Sequence, residues 1–151
     1  SYFFVNTFLK NFQYLKSIYG YDIITKIIYA VIYMKINESA ENYLETILML
    51  QRSKGMVRSI DIANELDFSK PSISVAVKNL RENGYIEVDK DGHITLLEKG
   101  LEIAENMYER HMVISNFLIG LGVDEKTATE DACKIEHVIS QQSFDAIKKT
   151  L

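Results

Sequence analysis

Residues 59–96 read SIDIANELDFSKPSISVAVKNLRENGYIEVDKDGHITL, and the fold is decided there. Ser59 stands ahead of Ile60–Leu66, where Ile62, Ala63 and Leu66 fall at helical spacing, so a short helix capped by Ser59 is expected. Asp67, Phe68 and Ser69 form a turn. Ser69 is a good helix cap, and Pro71 falls in the first turn of the next helix, where its missing N–H costs nothing. That helix carries Ile73, Val77 and Leu80 on one face and stops near Gly84. Tyr85–Val88 and His93–Leu96 alternate apolar and polar residues around Asp89-Lys90-Asp91-Gly92, the pattern of a two-stranded hairpin. Two helices joined by a tight turn and followed by a small hairpin make a winged helix-turn-helix.

Upstream, Ser39 can cap a helix whose apolar face is Tyr43, Leu44, Ile47, Leu48 and Leu50, broken around Gly55. Downstream, Glu98–Leu121 reads as a long amphipathic helix with Leu101, Ile103, Ala104, Met107, Tyr108, Ile114, Phe117 and Leu118 on its apolar face. Asp124 caps another helix running to about Ile139, and a last helix covers Ser143–Leu151. This helical half has more apolar surface than its size needs, which suits a two-fold dimer. The expected fold is mainly α: a winged helix-turn-helix over 34–97, then a helical region over 98–151.

Residues 1–33 are crowded with Tyr, Phe and Ile, but Lys10, Lys16, Asp22 and Lys26 keep every apolar run short of the roughly 18 residues a membrane helix needs. The chain begins at Ser1, and Met34 reads like a natural start. The segment is therefore either an upstream extension or an extra amphipathic helix that packs on a partner.

The chain of 151 residues carries a formal net charge of -4, whereas most DNA-binding domains are basic. The distribution softens the objection. Residues 53–97 hold six basic and seven acidic residues, while residues 98–151 hold six and ten. Bound cations would offset charge in the second half. A single cysteine, Cys133, excludes an internal disulfide and suits a reducing cytoplasm.

The segment DACKIEH, Asp131–His137, is the richest in chemistry. Cys133, Glu136 and His137 stand at i, i+3 and i+4, so on a helix they share a face. Thiolate, carboxylate and imidazole suit a first-row transition metal. An acidic helix surface with a stray His and a buried Cys would look the same. Two other helices add compatible groups: Asn42 and Glu45 on the first, Glu45 in an apolar neighbourhood, and His111 near the apolar face of the long one.

The stretches ENYLETILML, DIANELDFSKPSISVAVKNLRENGYI, ERHMVISNFL and GVDEKTATEDACKIEHVIS together resemble the diphtheria toxin repressor and manganese transport regulator family, from Ser39 to Leu151. The resemblance implies a DNA-binding repressor of metal-uptake genes that responds to Fe(II) or Mn(II), binds up to two ions per protomer, and acts as a cytoplasmic homodimer on a double-stranded operator. It implies metal ligation by Asn42, Glu45, His111, Cys133, Glu136 and His137. Cys133, Glu136 and His137 match the iron-type branch, Glu45 the manganese-type branch, and His111 both. Ser115 and Thr129 depart from the iron-type second site, and Asn42 from the manganese-type one. A hybrid is expected, with one ion on Cys133, Glu136 and His137 and a weaker one on His111, Glu45 and Asn42. The SH3-like domain of longer family members is expected to be absent.

In such a fold the second helix of the motif enters the major groove by its N-terminal end. Here that end presents Ser69, Lys70, Pro71, Ser72, Ser74 and Val75. Ser and Lys can bind phosphate, and Pro71 and Val75 can meet thymine methyls. Lys78, Arg81, Arg58, Lys90 and His93 are placed for backbone contacts. Two other functions compete. A thiol-based redox or ligand sensor would use Cys133 and needs a low-pKa thiol. A metalloenzyme needs an open metal position and a general base, and the chain has neither an HExxH pattern nor a Gly-rich phosphate loop. No enzyme, membrane partner or small-molecule substrate is expected.

Overall fold

The computed structural model describes the backbone of residues 23–151 and side chains from Glu38 onward. Residues 1–22 of the N-terminal segment, and with them most of the expectation about it, lie outside the described residues. The element order is α1 (Ile23–Lys54), β1 (Val57–Arg58), α2 (Ser59–Glu65), α3 (Lys70–Glu82), β2 (Ile86–Val88), β3 (His93–Leu96), α4 (Glu98–Gly120), α5 (Glu125–Ile135) and α6 (Gln141–Lys148).

The helix-turn-helix is α2 and α3. Ser69 caps α3 as expected, its hydroxyl oxygen accepting the Ser72 N–H at 3.4 Å, with Pro71 in the first turn. The cap of α2 differs from expectation. Ser59 is already helical, Arg58 holds the cap position, and the Asp61 carboxylate accepts the Arg58 N–H at 2.9 Å. A carboxylate at the third helical position reaches back to the cap as well as a hydroxyl at the cap reaches forward.

The wing has three strands, in the order β1-β3-β2. Val57 pairs with Ile94 and Arg58 with His93, while Ile86 pairs with Leu96 and Val88 with Ile94, all antiparallel. The two-residue β1 is too short to show a strand pattern in sequence. Gly92 takes the left-handed conformation (φ +81°) that closes the wing turn. The wing is tied to α4 by a close approach: a Cβ at Gly100 would lie 2.1 Å from the Tyr85 carbonyl oxygen, which accepts the Leu97 N–H at 2.9 Å. Only glycine fits there.

Ser39 does not cap a helix. α1 runs continuously through it, and through Met34, because no residue between Ile23 and Lys54 is Gly or Pro. The core of the first half joins Leu44, Ile47, Leu48 and Leu50 of α1 to Val57, Ile62, Ile73, Leu80, Ile86, Ile94 and Ala104. Truncating one of the fully buried members, such as Ile47, would cost about 2–5 kcal/mol. A second, smaller core gathers Ile114, Ala132 and Phe144 from α4, α5 and α6. α4 belongs to both, packing on α1 at one end and on α5 and α6 at the other. It is the beam that joins the two halves.

Two helix ends fall elsewhere than expected. α5 stops at Ile135, not Ile139, with Glu136 as its C-cap in helical conformation. α6 begins earlier, at Gln141, because the Ser140 hydroxyl accepts the Ser143 N–H.

Candidate metal centre

Three helices converge on a buried group of charged side chains. Glu45 projects from the apolar stretch of α1 and is 5% exposed. His111 comes from the middle of α4, and Glu136, fully buried, from the end of α5. The His111 Nδ1 lies 2.9 Å from Glu136 Oε2. The potential ligand atoms of His111, Cys133 and Glu136 all lie within 4.8 Å of one another. His137 follows in the turn after α5; its Nε2 approaches Glu136 Oε1 at 3.4 Å and its Nδ1 lies 2.9 Å from Glu41 Oε2.

Cys133, Glu136 and His137, expected to act together, lie close to His111, which was expected to pair with Glu45. His111 joins Cys133 and Glu136, and His137 turns one nitrogen toward a residue the sequence did not single out, Glu41. Asn42 sits half-buried beside Glu41, and its carbonyl accepts the Thr46 hydroxyl at 2.8 Å. Glu41 and Glu45 are four residues apart, one turn of one helix face, and that spacing was the available signal. A second missed residue is Arg110. Its guanidinium donates to the Glu136 and Ile139 carbonyls, each at 3.1 Å, and to Gln141 Oε1 at 2.7 Å, over the Phe144 ring. These carbonyls lie at the C-cap of α5 and in the turn that follows it, outside the helical ladder. Arg110 therefore holds the turn that carries Glu136 and His137. The contact spans 26 residues or more, and no local pattern announces it.

The electrostatics are those of carboxylates awaiting positive charge. Burial, and then the Glu136 carboxylate beside it, push Glu45 up to about 7. The hydrogen bond to Glu136 raises His111, and the one to Glu41 raises His137, each against the opposing effect of burial. Burial also pushes the Cys133 thiol up, with Glu136 and Glu45 adding to it. Glu45 Oε1 and Glu136 Oε1 are buried without a hydrogen-bond partner among the described residues. Such orphaned oxygens cost about 1–3 kcal/mol each unless something binds them. A divalent cation fits this chemistry: it would satisfy both oxygens, neutralise the facing carboxylates and hold Cys133 as thiolate. A raised thiol does not support the redox-sensor reading of Cys133, which needs the opposite shift.

Asp89, Asp91 and His93 in the wing turn also bring three ligand atoms within 4.8 Å. Asp89 and His93 are already engaged within the wing. Asp89 Oδ1 accepts the Asp91 and His93 N–H groups at 2.9 and 2.8 Å, Oδ2 lies 3.1 Å from His93 Nδ1, and His93 Nε2 lies 3.2 Å from Arg58 Nη2.

The expected DNA-reading residues lie together at the start of α3. Ser69, Lys70, Pro71, Ser72, Ser74 and Val75 are all exposed. Three hydroxyls are already engaged: Ser69 with Ser72 at 2.8 Å, and Ser74 donating to the Lys70 carbonyl at 2.9 Å. Lys70, Pro71 and Val75 are left as the outward groups. Further along, Lys78 pairs with Glu82 at 3.8 Å, and Arg81 is exposed. Of the two departures noted in sequence, Thr129 is exposed and its hydroxyl donates to the Glu125 carbonyl at 2.8 Å. Ser115 is buried, one turn beyond His111, with its hydroxyl unpartnered among the described residues.

Comparison with known proteins agrees with this architecture. Residues 35–94 match the family described as iron dependent repressor, N-terminal DNA binding domain. Residues 97–151 match iron dependent repressor, metal binding and dimerisation domain. The chain is 35% identical over 114 residues to an uncharacterized HTH-type transcriptional regulator of Methanocaldococcus jannaschii, covering 74% of this chain and 91% of that one. It is 34% identical over 111 residues to the transcriptional regulator MntR of Escherichia coli, covering 74% and 72%. Among solved structures it resembles the manganese regulator SloR (28% identity, TM-score 0.65) and a manganese-dependent transcriptional repressor in complex with manganese (26%, TM-score 0.68). Each likeness covers 74% of this chain, which spans about half the length of those two regulators, 52% and 51%. Among the described residues no helix is long and apolar enough to cross a membrane. With a winged reading head, a cluster of His111, exposed Cys133 and buried Glu136 within ligand distance, and family matches over both halves, the chain belongs to the iron-dependent repressor family of metal-dependent, DNA-binding transcriptional repressors, which are not enzymes.

Proposed function

We propose that this protein senses Fe(II) or Mn(II) through Glu45, His111, Cys133, Glu136 and His137 and represses metal-uptake genes when the ion is plentiful. The observation that carries the reading is the pair of buried, unpartnered carboxylate oxygens on Glu45 and Glu136, on helices from the two halves of the molecule. His111, Cys133 and Glu136 would hold one ion, with Glu45 completing the set. His137 Nε2 and the second oxygen of Glu136 would offer a place for another. A bound cation supplies the charge that lets these groups stay ionised at close quarters. Glu45 then ties α1 to Glu136 and His111, and Arg110 keeps the turn after α5 in place. The relative placement of reading head and dimerisation region therefore depends on the charge balance among these side chains. The domain division at 34–97 and 98–151 is supported by the family matches at 35–94 and 97–151. A cytoplasmic location suits the unpaired thiol.

The start of α3 reads the operator as a homodimer, one head per half-site, through Lys70 on phosphate and Pro71 and Val75 on base methyls, with Ser69, Ser72, Ser74, Lys78, Arg81 and Arg58 along the backbone. Anaerobic titration with Fe(II) and with Mn(II), followed by a DNA shift assay at fixed salt, tests the whole reading. Metal binding that leaves operator affinity unchanged would refute it. Replacing Lys70 and Pro71 together by Ala should weaken operator binding by roughly 1–3 kcal/mol without unfolding; unchanged affinity would place the reading element elsewhere.

A further inference from the structure

Glu41 has no role in the ligand set proposed above, yet it makes one of the two polar contacts of His137. The imidazole has two nitrogens that face different ways. Nδ1 lies 2.9 Å from Glu41 Oε2, and Nε2 lies 3.4 Å from Glu136 Oε1, inside the cluster. The His137 side chain is 5% exposed, so its ring has little freedom to turn. Glu41 is 30% exposed, and its carboxylate oxygen is the acceptor that faces Nδ1. A carboxylate facing Nδ1 keeps the proton on Nδ1. The lone pair available for a cation is then on Nε2, the nitrogen aimed at Glu136.

We propose that Glu41 is a positioning residue: by accepting the Nδ1–H of His137 it fixes the tautomer and the ring orientation that present Nε2 to the metal centre. The proposal rests on the metal-sensing reading above. It also assigns the two carboxylates on this face of α1 different tasks. Glu45 enters the centre directly, and Glu41, one turn earlier, acts through His137. Both attach the helix at the heart of the reading head's core to the turn after α5. Without Glu41 the buried Nδ1–H would lack an acceptor, and the ring would gain by turning or by moving its proton to Nε2. Outer carboxylates that orient a ligating imidazole typically contribute 10- to 100-fold in metal affinity.

The test uses Glu41→Ala and Glu41→Gln in the full chain. Glutamine can still accept the Nδ1–H through its amide oxygen, so it separates positioning from direct ligation. The first measurement is the long-range ¹H–¹⁵N spectrum of the histidine rings in metal-free protein. Wild type and Glu41→Gln should show an exchange-protected proton on Nδ1 of His137, absent in Glu41→Ala. The second is anaerobic Mn(II) titration, with circular dichroism to confirm folding. Glu41→Ala should lose about 10- to 100-fold in affinity, and Glu41→Gln far less. Equal losses in both variants would make Glu41 a ligand and overturn the positioning role. Unchanged affinity in Glu41→Ala would overturn it as well. Wild type that shows the Nδ1 proton but binds no Mn(II) would instead sink the metal-sensing reading, and the two failures are thereby distinguished.

Discussion

Among the described residues two groups bring three ligand atoms within reach of one another, Asp89, Asp91 and His93 in the wing and His111, Cys133 and Glu136 at the helix junction, and they differ in burial and in hydrogen bonding. The wing turn of Asp89, Asp91 and His93 is largely exposed, and the Asp89 oxygens accept backbone N–H groups of their own loop. The centre formed by Glu45, His111, Cys133 and Glu136 holds two fully or nearly buried carboxylates, each with an oxygen that makes no hydrogen bond among the described residues. The first cluster is finished by folding and the second is left incomplete. Proximity of ligand types alone does not distinguish them; burial and hydrogen-bond accounting do.

The strongest way to break this comparison is Glu136→Gln. It keeps the shape but turns one acceptor oxygen into an amide donor and removes the charge common to the contacts with His111 and His137. Mn(II) and Fe(II) affinity should fall by at least about 100-fold, more than the loss of an outer-shell partner costs. Near wild-type binding in an anaerobic titration would mean that the buried centre is structural.

Next in size is metal choice. A thiolate favours Fe(II) over Mn(II), which prefers oxygen donors and binds weakly among the divalent ions. Cys133→Glu should shift the ratio of Fe(II) to Mn(II) affinity toward Mn(II) by about 1–2 kcal/mol, a typical coupling magnitude. A ratio that does not move, measured without oxygen, removes Cys133 from the ligand set.

The two regions also respond oppositely to pH in metal-free protein. Glu45 is raised to about 7 from 4.5, so the unfolded chain ionises first and stability falls as pH climbs through that window. His111 and His137 are raised as well. Their contribution is full below about 6.5 and is lost as pH rises through their folded values. All three act in one direction. In the wing, hydrogen bonds from the His93 backbone hold Asp89 low, so its contribution is lost as pH falls. It is exposed and small beside the others. Metal-free protein should therefore melt several degrees lower at pH 8 than at pH 6. Glu45→Gln should raise the pH 8 melting temperature and flatten the slope while weakening metal binding. A pH 8 melting point unchanged by Glu45→Gln would show that the buried charge carries no cost.

The smallest expected effect completes the contrast. Asp89→Ala should leave Mn(II) stoichiometry and affinity within about twofold of wild type. It should lower stability only slightly, as expected of exposed loop hydrogen bonds. A lost equivalent of Mn(II) would move the metal reading to the wing.

Much of this was legible in the chain itself because it rests on local chemistry. The Ser69 and Asp124 caps, Pro71 in the first turn of α3, the Asp-Gly wing turn and the apolar spacing of α2 to α4 each depend on residues within a few positions of one another. Five of the residues at the metal centre were singled out by type and spacing: Glu45, His111, Cys133, Glu136 and His137. Ser39 misled because a good capping residue caps nothing where the helix preceding it continues. Which donors face one another, by contrast, was settled only by tertiary packing. Grouping His111 with Cys133 and Glu136, turning His137 toward Glu41 across 96 residues, and clamping the turn after α5 with Arg110 all depend on how α1, α4 and α5 cross. A sequence period determines which face of a helix a residue occupies; the packing of distant apolar faces determines which other face it meets. The unsatisfied oxygens that mark the site exist only once that packing has excluded water.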